Sequence, residues 1–582
     1  MVKEKAGGKD PYEWAKEYVE ELNRKEKETV EPKVTVEFSP NADLDTDSKI
    51  KYKAGHLFLQ KLFYQLGWNQ LSGKVKSGTD SEIPLNTILQ MLLYTRILYP
   101  RSKKASWELY EDFLPAARAE KVQLHQVYKA LDLIADKNDV IQEFVYKSTE
   151  KYCKRSTDVL YYDCTNFYFE CEQEDDEVVD EVTGEILKGL RKYGVSKEHR
   201  PNPIVEMGLF MDKRGIPITM CIHPGNTSEQ ITAVPLEKEV LKMTAGAKFI
   251  YCADAGLGSY NIRKFNSMGG RAFIVTQSIK KLGDVLKKAV FNDFDYRLLS
   301  DNTPVTIEHM KSFDRFEDKN KALYNDYAYK IITADKAVDL GLYEEKILAD
   351  GRVKRVKATG LLKQRIIITF SRKMMEYQRA VRARQVERAK RILSSNDPEE
   401  IKKGPNDVRR FMKRVVKTKT NEKATVEYLL DEDKIAEEEK YDGYYAVATN
   451  LEDPAKDILE VSNKRYQIED CFRIMKTNFS GRPVNHREER RIRAHFLICY
   501  TALLVYRLLE CRLDDQGTHV TPENLITTLR NMNVTNIHDI EYMALYTGSK
   551  ALDALTKLTN MNLDRLHYRP KDLNRMIKKI LT

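Results

Sequence analysis

The stretch Asp158 to Glu170, DVLYYDCTNFYFE, is dense in β-branched and aromatic side chains, which predicts a strand. One residue breaks the pattern. Asp163 stands with Leu160, Tyr161 and Tyr162 before it and Phe167 and Tyr168 after it. A carboxylate among such neighbours is costly unless it is paired, hydrogen-bonded or bound to a metal. The stretch therefore marks both a strand of a buried sheet and a candidate site.

Working outward, Ile204 to Asp212 (IVEMGLFMD), Ile216 to His223 (IPITMCIH), Lys248 to Ala253 (KFIYCA) and Arg271 to Gln277 (RAFIVTQ) predict four more short strands bounded by turn residues. Helical patterns at about 229–243 and 257–268 fall before and after KFIYCA. The order is α/β with a mixed sheet whose first three strands suit an antiparallel meander, which is the RNase H-like order. Asp254 follows FIYCA directly and precedes Ala255-Gly256-Leu257-Gly258-Ser259. It is thus expected at the carboxyl end of a buried strand, the edge where open α/β sheets gather ligands. Each aspartate alone suits a cap or turn; two on one sheet are more informative.

The expected organisation has five parts. Residues 1–155 hold a Lys/Glu/Asp-rich, loosely ordered arm and a helical domain, built from His56 to Leu66, Leu85 to Leu98 and Leu124 to Tyr152. The core lies in two parts, 156–280 and 441–515, interrupted by an insertion domain at 281–440, and a helical region follows at 516–582. The second core part holds the strand YYAVA at 444–448, a helix at about 457–478 and an apolar helix at about 489–510. Thr521-Pro522-Glu523 reads as an N-cap with Pro in the first helical position.

Composition excludes several classes. With 42% hydrophobic and 32% charged residues the chain is too apolar for disorder and too polar for a membrane bundle. The longest apolar run, Phe496 to Tyr506, is too short to span a bilayer. Eight cysteines with no C-x-x-C pair suit a reduced cytoplasmic protein. The net charge of +9, from 97 Lys plus Arg against 88 Asp plus Glu, is modest, but its distribution is not. Residues 372–423 hold 17 Lys plus Arg against 7 Asp plus Glu. Met375, Ala380, Ile392 and Leu393 fit a helix with a basic face, which serves DNA contact or a solvated surface equally well. The turn Arg101-Ser102-Lys103-Lys104 and the loop GVSKEHRP at 194–201, with Lys197, His199 and Arg200, are further basic candidates. Thr227 and Ser228 in GNTSE most simply cap the next helix, and His495 suits a helix face or core.

The helix at 457–478 carries Arg465, Glu469, Arg473 and Lys476 at offsets of four, four and three, so they line one face. Surface ladders look like this too. The Arg465-x3-Glu469-x6-Lys476 spacing, however, resembles the Y-x2-R-x3-E-x6-K signature of DDE transposases of bacterial insertion sequences. YDCTNFYFE, GVSKEHRP, GNTSE and YCADAGLGS resemble the IS-four-like branch, from about Leu85 to Tyr506. The resemblance implies an RNase H-like fold, with Asp163, Asp254 and Glu469 as catalytic metal ligands. It implies that Arg465 and Lys476 contact phosphates of the transposon end; Arg473, on the same helix stripe, and Lys197 and Arg200, in the basic loop, read as further DNA contacts. The signature's Tyr position is Ser462 here. Cleavage and strand transfer at terminal inverted repeats would use two Mg²⁺, with Mn²⁺ substituting, and a homodimer on DNA. Hard cations of this kind are held by carboxylate oxygens. The competing functions are an RNase H-like nuclease that does not join strands and a domesticated DNA-binding protein without catalysis.

Overall fold

The computed structural model describes residues 10–30, 49–78, 82–118, 120–179, 186–187, 189–244, 246–348, 353–394, 407–417 and 425–581. Residues 31–48 of the arm, and 395–406 and 418–424 of the basic stretch, lie outside the described residues. Residues 1–50 form one unit and 51–582 another.

In the first unit a helix, Pro11–Val30, stands where a loosely ordered arm was expected. Asp10 accepts the backbone N–H groups of Tyr12 at 2.9 Å and Glu13 at 3.1 Å, and Trp14 stacks on Tyr18 one turn on, with ring centroids 5.0 Å apart. A cap and an i,i+4 aromatic pair thus support a helix whose Trp14, Ala15, Tyr18, Val19 and Leu22 recur along one face, a spacing that its charged composition masks.

The second unit begins with helices α1 (His56–Gln65), α2 (Leu85–Leu98), α3 (Leu124–Asp136) and α4 (Asn138–Tyr152). The run expected as one helix from Leu124 to Tyr152 breaks at Lys137, whose φ of −106° and ψ of 24° leave helical space.

Next come β1 (Val159–Tyr168), β2 (Ile204–Asp212), β3 (Pro217–Pro224), α5 (Glu229–Met243), β4 (Ile250–Ala253), α6 (Tyr260–Phe265) and β5 (Ala272–Thr276). They follow the expected order closely. Strands β6 (Arg297–Leu298), β7 (Ala328–Lys336) and β8 (Leu361–Phe370) follow, then α7 (Arg372–Ser394) and β9 (Tyr444–Thr449). All nine strands join one sheet in the order β3-β2-β1-β4-β5-β9-β8-β7-β6. Strands β1, β4 and β5 are parallel and every other pairing is antiparallel. The segment 281–440 therefore contributes strands to the same sheet as the residues on either side of it.

Both faces of this sheet are covered from β1 to β5, which is why those strands read as nearly continuous apolar runs. On β1, Leu160, Tyr162 and Cys164 pack with Ala233, Leu236 and Val240 of α5. Val159, Tyr161 and Phe167 point the other way. They join a core shared with α8 (Ala455–Asn463), α9 (Tyr466–Arg473) and α10 (Glu489–Asp515). The single helix expected at 457–478 is thus three pieces, α8, α9 and a π-helical turn Ile474–Asn478. Helix α10 is long and apolar enough to cross a membrane, but 89% of its most apolar window is buried inside the protein. It serves as the central core helix.

Thr521 caps Pro522–Asn531 as expected, accepting the Asn524 N–H at 3.4 Å. The region after 516, read as helical, also contains strands. Asn533–Ile537, Glu541–Ala544 and His567–Tyr568 form a four-stranded sheet with Lys51–Lys53. The eight cysteines are all free.

Candidate active site

The β1–β4 ladder pairs Val159 with Ile250, Leu160 with Tyr251 and Tyr161 with Cys252. Extended by two residues, that register sets Asp163, at the middle of β1, opposite Asp254, just past the carboxyl end of the neighbouring parallel strand β4, where adjacent strands lie about 4.8 Å apart. Asp163 Oδ1 accepts the N–H of Cys164 at 2.8 Å, and Asp254 Oδ1 accepts that of Leu257 at 3.0 Å. Both residues are partly buried. Burial pushes the Asp163 carboxyl up to about 7; Lys197 draws it down and Asp254 pushes it further up. A carboxylate whose ionisation burial and a neighbouring carboxylate both oppose is one that a bound cation relieves.

Helix α9 packs on the same sheet face, with Ile468, Cys471 and Phe472 in the core, and the Tyr161 hydroxyl donates to the Val461 carbonyl at 2.9 Å. Arg465 is close enough to Cys252 to draw down a thiol that burial pushes up. Arg465 Nη1 lies 3.9 Å from Glu469 Oε1, and the Glu469 side chain is 64% exposed. Among the described residues no three His, Cys, Asp or Glu side chains stand close enough together to hold a metal ion. The aspartates fit the hard-oxygen chemistry of a divalent cation. Glu469 stands apart from them.

The predicted basic residues divide. Lys476 lies 3.3 Å from Glu198 and 5.4 Å above the Phe167 ring, with its side chain 12% exposed. Burial and Lys197 bring its pKa down to about 8, against Glu206 and Asp163. Arg482 also pairs with Glu198. Arg473 pairs with Asp470 at 3.1 Å and lines a cleft of about 630 Å³ with Arg101 and Arg530. Arg200 stacks 4.3 Å over Tyr168. Lys197 donates to the Cys164 carbonyl at 2.6 Å and lies 2.7 Å from Glu229. Burial lowers the affinity of Lys197 for its proton, but Glu229, Asp163 and Glu206 outweigh it, leaving the pKa above its ordinary value.

Glu206, Glu229 and Glu198 escaped the sequence reading. Glu206 is 6% exposed, with Asn166 donating to it at 3.3 Å. Burial raises its pKa to about 7 and Glu229 adds to the rise; Lys197, Asn166 and Lys476 oppose it. The signal was present, since Glu206 in IVEMGLFMD is a carboxylate in an apolar strand just as Asp163 is. Ser228 occupies the N-cap position of α5 without capping it. Its hydroxyl donates to Glu345 at 2.7 Å instead, which corrects the expected cap. Ser462 is buried at 6% exposure. His495 is buried in α10, and burial holds its pKa well below the ordinary value.

Residues 188–505, over half the chain, match the family model described as Transposase DDE domain. Asp254 and Glu469 fall inside the matched segment and Asp163 precedes it. No curated protein matches the sequence. A cryo-EM structure of the piggyBac transposase synaptic complex with hairpin DNA is 8% identical, with a TM-score of 0.32 over 91% of this chain and 86% of that one. That likeness is too distant to bear on fold or site.

Proposed function

From the premise that the chain belongs to the transposase DDE domain family, we propose that it cleaves DNA at transposon ends and joins them to target DNA on an RNase H-like core. The observation that carries this reading is the β1–β4 register, which when extended brings Asp163 of β1 beside Asp254 at the carboxyl end of β4. The sheet order supports it, with an antiparallel meander followed by two parallel strands.

Asp163 and Asp254 would hold Mg²⁺ or Mn²⁺, with Glu469 brought in from α9 as the DNA docks. Two such ions supply an activated oxygen nucleophile and neutralise charge on the phosphate. The protein's own groups do the positioning. Arg465 lies between the aspartate strands and Glu469, where its planar guanidinium can grip a phosphate in bidentate fashion. Lys476 and Lys197 add positive charge around Asp163. Arg473 with Arg101 and Arg530 extends the cationic surface along the cleft, where phosphate contacts fix the register of a duplex. Arg200 lies on the loop that also carries Lys197. The basic face of α7 suits non-specific DNA contact, whose strength falls steeply with salt. A homodimer bound to paired inverted repeats in the cytoplasm completes the reading.

The test is incubation with DNA bearing the element's terminal repeats, in Mg²⁺ and in EDTA. Metal-dependent nicks at the repeat boundary followed by joined products support transposition. Nicks without joined products favour a nuclease, and no cleavage of any end sequence refutes the proposal.

A further inference from the structure

Arg263 on α6 is 2% exposed. Its Nε donates to the Gly258 carbonyl at 2.9 Å, and its terminal nitrogens donate to Gln364 Oε1 at 2.7 Å and Gln277 Oε1 at 2.8 Å. All three acceptors are neutral. A guanidinium taken out of water normally stands against an anion, because the desolvation cost is otherwise unmet.

The same guanidinium lines a small pocket between the carboxyl ends of β4 and β5 and the turn at Leu340–Tyr343. Lys281 and Arg355 bring two more cations to its wall, and Ser259 and Ser278 bring hydroxyls. None of the described residues lining it is acidic. Its space of about 30 Å³ holds roughly two waters and opens to solvent, so a larger anion rests in its mouth with only part of its oxygens directed inward. Gln230, also in the wall, donates to the Gly256 carbonyl at 2.7 Å. The pocket thus shares a wall with the loop that follows Asp254.

We infer that this pocket binds a phosphate group through Arg263, Lys281 and Arg355, a site separate from the aspartate pair and beside it. Three cations around a space with no carboxylate are complementary to a tetrahedral oxyanion, which accepts several charge-assisted hydrogen bonds at once. The burial that draws the Arg263 pKa down to about 9 is offset when the anion arrives. The phosphate is either free or part of a DNA strand; the latter source rests on the transposase reading, and the binding itself does not.

The experiment is calorimetric titration of inorganic phosphate into the full-length protein in EDTA, with R355E and K281E as charge-reversed variants at exposed positions. The expected result is saturable binding of one phosphate per chain, weakened at least about tenfold in each variant, with unchanged melting temperatures. Absence of saturable binding to the wild type, or unaltered binding in both variants, overturns the inference. A parallel titration with duplex DNA separates the sources. Weaker DNA binding by R355E assigns the pocket to a strand phosphate, and unchanged DNA binding assigns it to a free anion. Failure of the transposase reading shows elsewhere, as end cleavage retained by D254A.

Discussion

Lys197 Nζ lies 2.7 Å from Glu229 Oε1 and donates to the Cys164 carbonyl at 2.6 Å, so one ammonium ties the strand carrying Asp163 to the first turn of α5. Replacing it in K197M leaves Glu229, Glu206 and Asp163 facing one another without that cation. The expected cost is about 1–2 kcal/mol of stability, as for a lost charged hydrogen-bond partner. Urea melts check the loss, and the variant should also bind duplex DNA more weakly. A variant as stable as wild type would show that the bridge contributes nothing.

Glu237 gives the fold a pH dependence of predictable sign. Its carboxyl is fully buried on α5, accepts from Asn266 at 3.0 Å and has Arg271 3.6 Å away. Burial raises its pKa from 4.5 to about 7, only partly opposed by those two partners. The folded state therefore holds the proton more tightly than the unfolded chain does. The associated stability is full below about 4.5 and is lost as pH rises through about 7, up to ~3 kcal/mol in all. E237Q should flatten this fall between pH 5 and 7.5 in denaturant melts. An unaltered slope would assign the titration to another group.

Gly225, in GNTSE, is held by close approach of backbone. A Cβ there would come within 2.2 Å of the Ile204 carbonyl oxygen and 2.5 Å of that of Lys192. G225A should cost roughly 1–3 kcal/mol, as overpacking does, and should weaken DNA binding by displacing the turn that leads to Glu229. Thermal melting and a DNA titration read the two effects. Full retention of both would mean that the turn shifts without consequence.

The apolar run Phe496 to Tyr506 reads from sequence as too short to span a bilayer, and in the folded chain α10 is the core helix against which α3 and the sheet pack. Phe496 meets Phe167 of β1 with centroids 4.9 Å apart, and the Tyr500 hydroxyl donates to the Ile218 carbonyl at 2.6 Å. F496A should therefore destabilise the whole fold by about 3–5 kcal/mol, the usual cost of truncating a buried Phe. Cooperative loss of far-ultraviolet circular dichroism at lower denaturant checks it; a change confined to local signals would contradict it.

What the sequence reveals and what it hides follow from how local each feature is. Strands β1 to β5 are buried on both faces, so their apolar runs announce themselves, and Asp163 and Asp254 stand out against that background. Breaks inside helical runs are less legible: Lys137 and the Lys464–Arg465 junction interrupt helices without Pro or Gly to mark them. The strands Asn533–Ile537 and His567–Tyr568 were invisible because their sheet begins at Lys51–Lys53, hundreds of residues away. The carboxylates around Lys197 converge from β1, β2 and α5, and only the folded chain brings them together. The same holds for the pocket at Arg263, whose wall draws on five separate segments.

The aspartate pair is the central claim, and it is tested most directly by the rate at which D163N and D254N cleave DNA bearing the element's ends in Mg²⁺, measured beside wild type. Both substitutions keep size and hydrogen bonding while removing the charge that would hold the cations. The account predicts that each variant melts and binds DNA like wild type but cleaves roughly 10³-fold more slowly or not at all. Cleavage at the wild-type rate by either variant would contradict it.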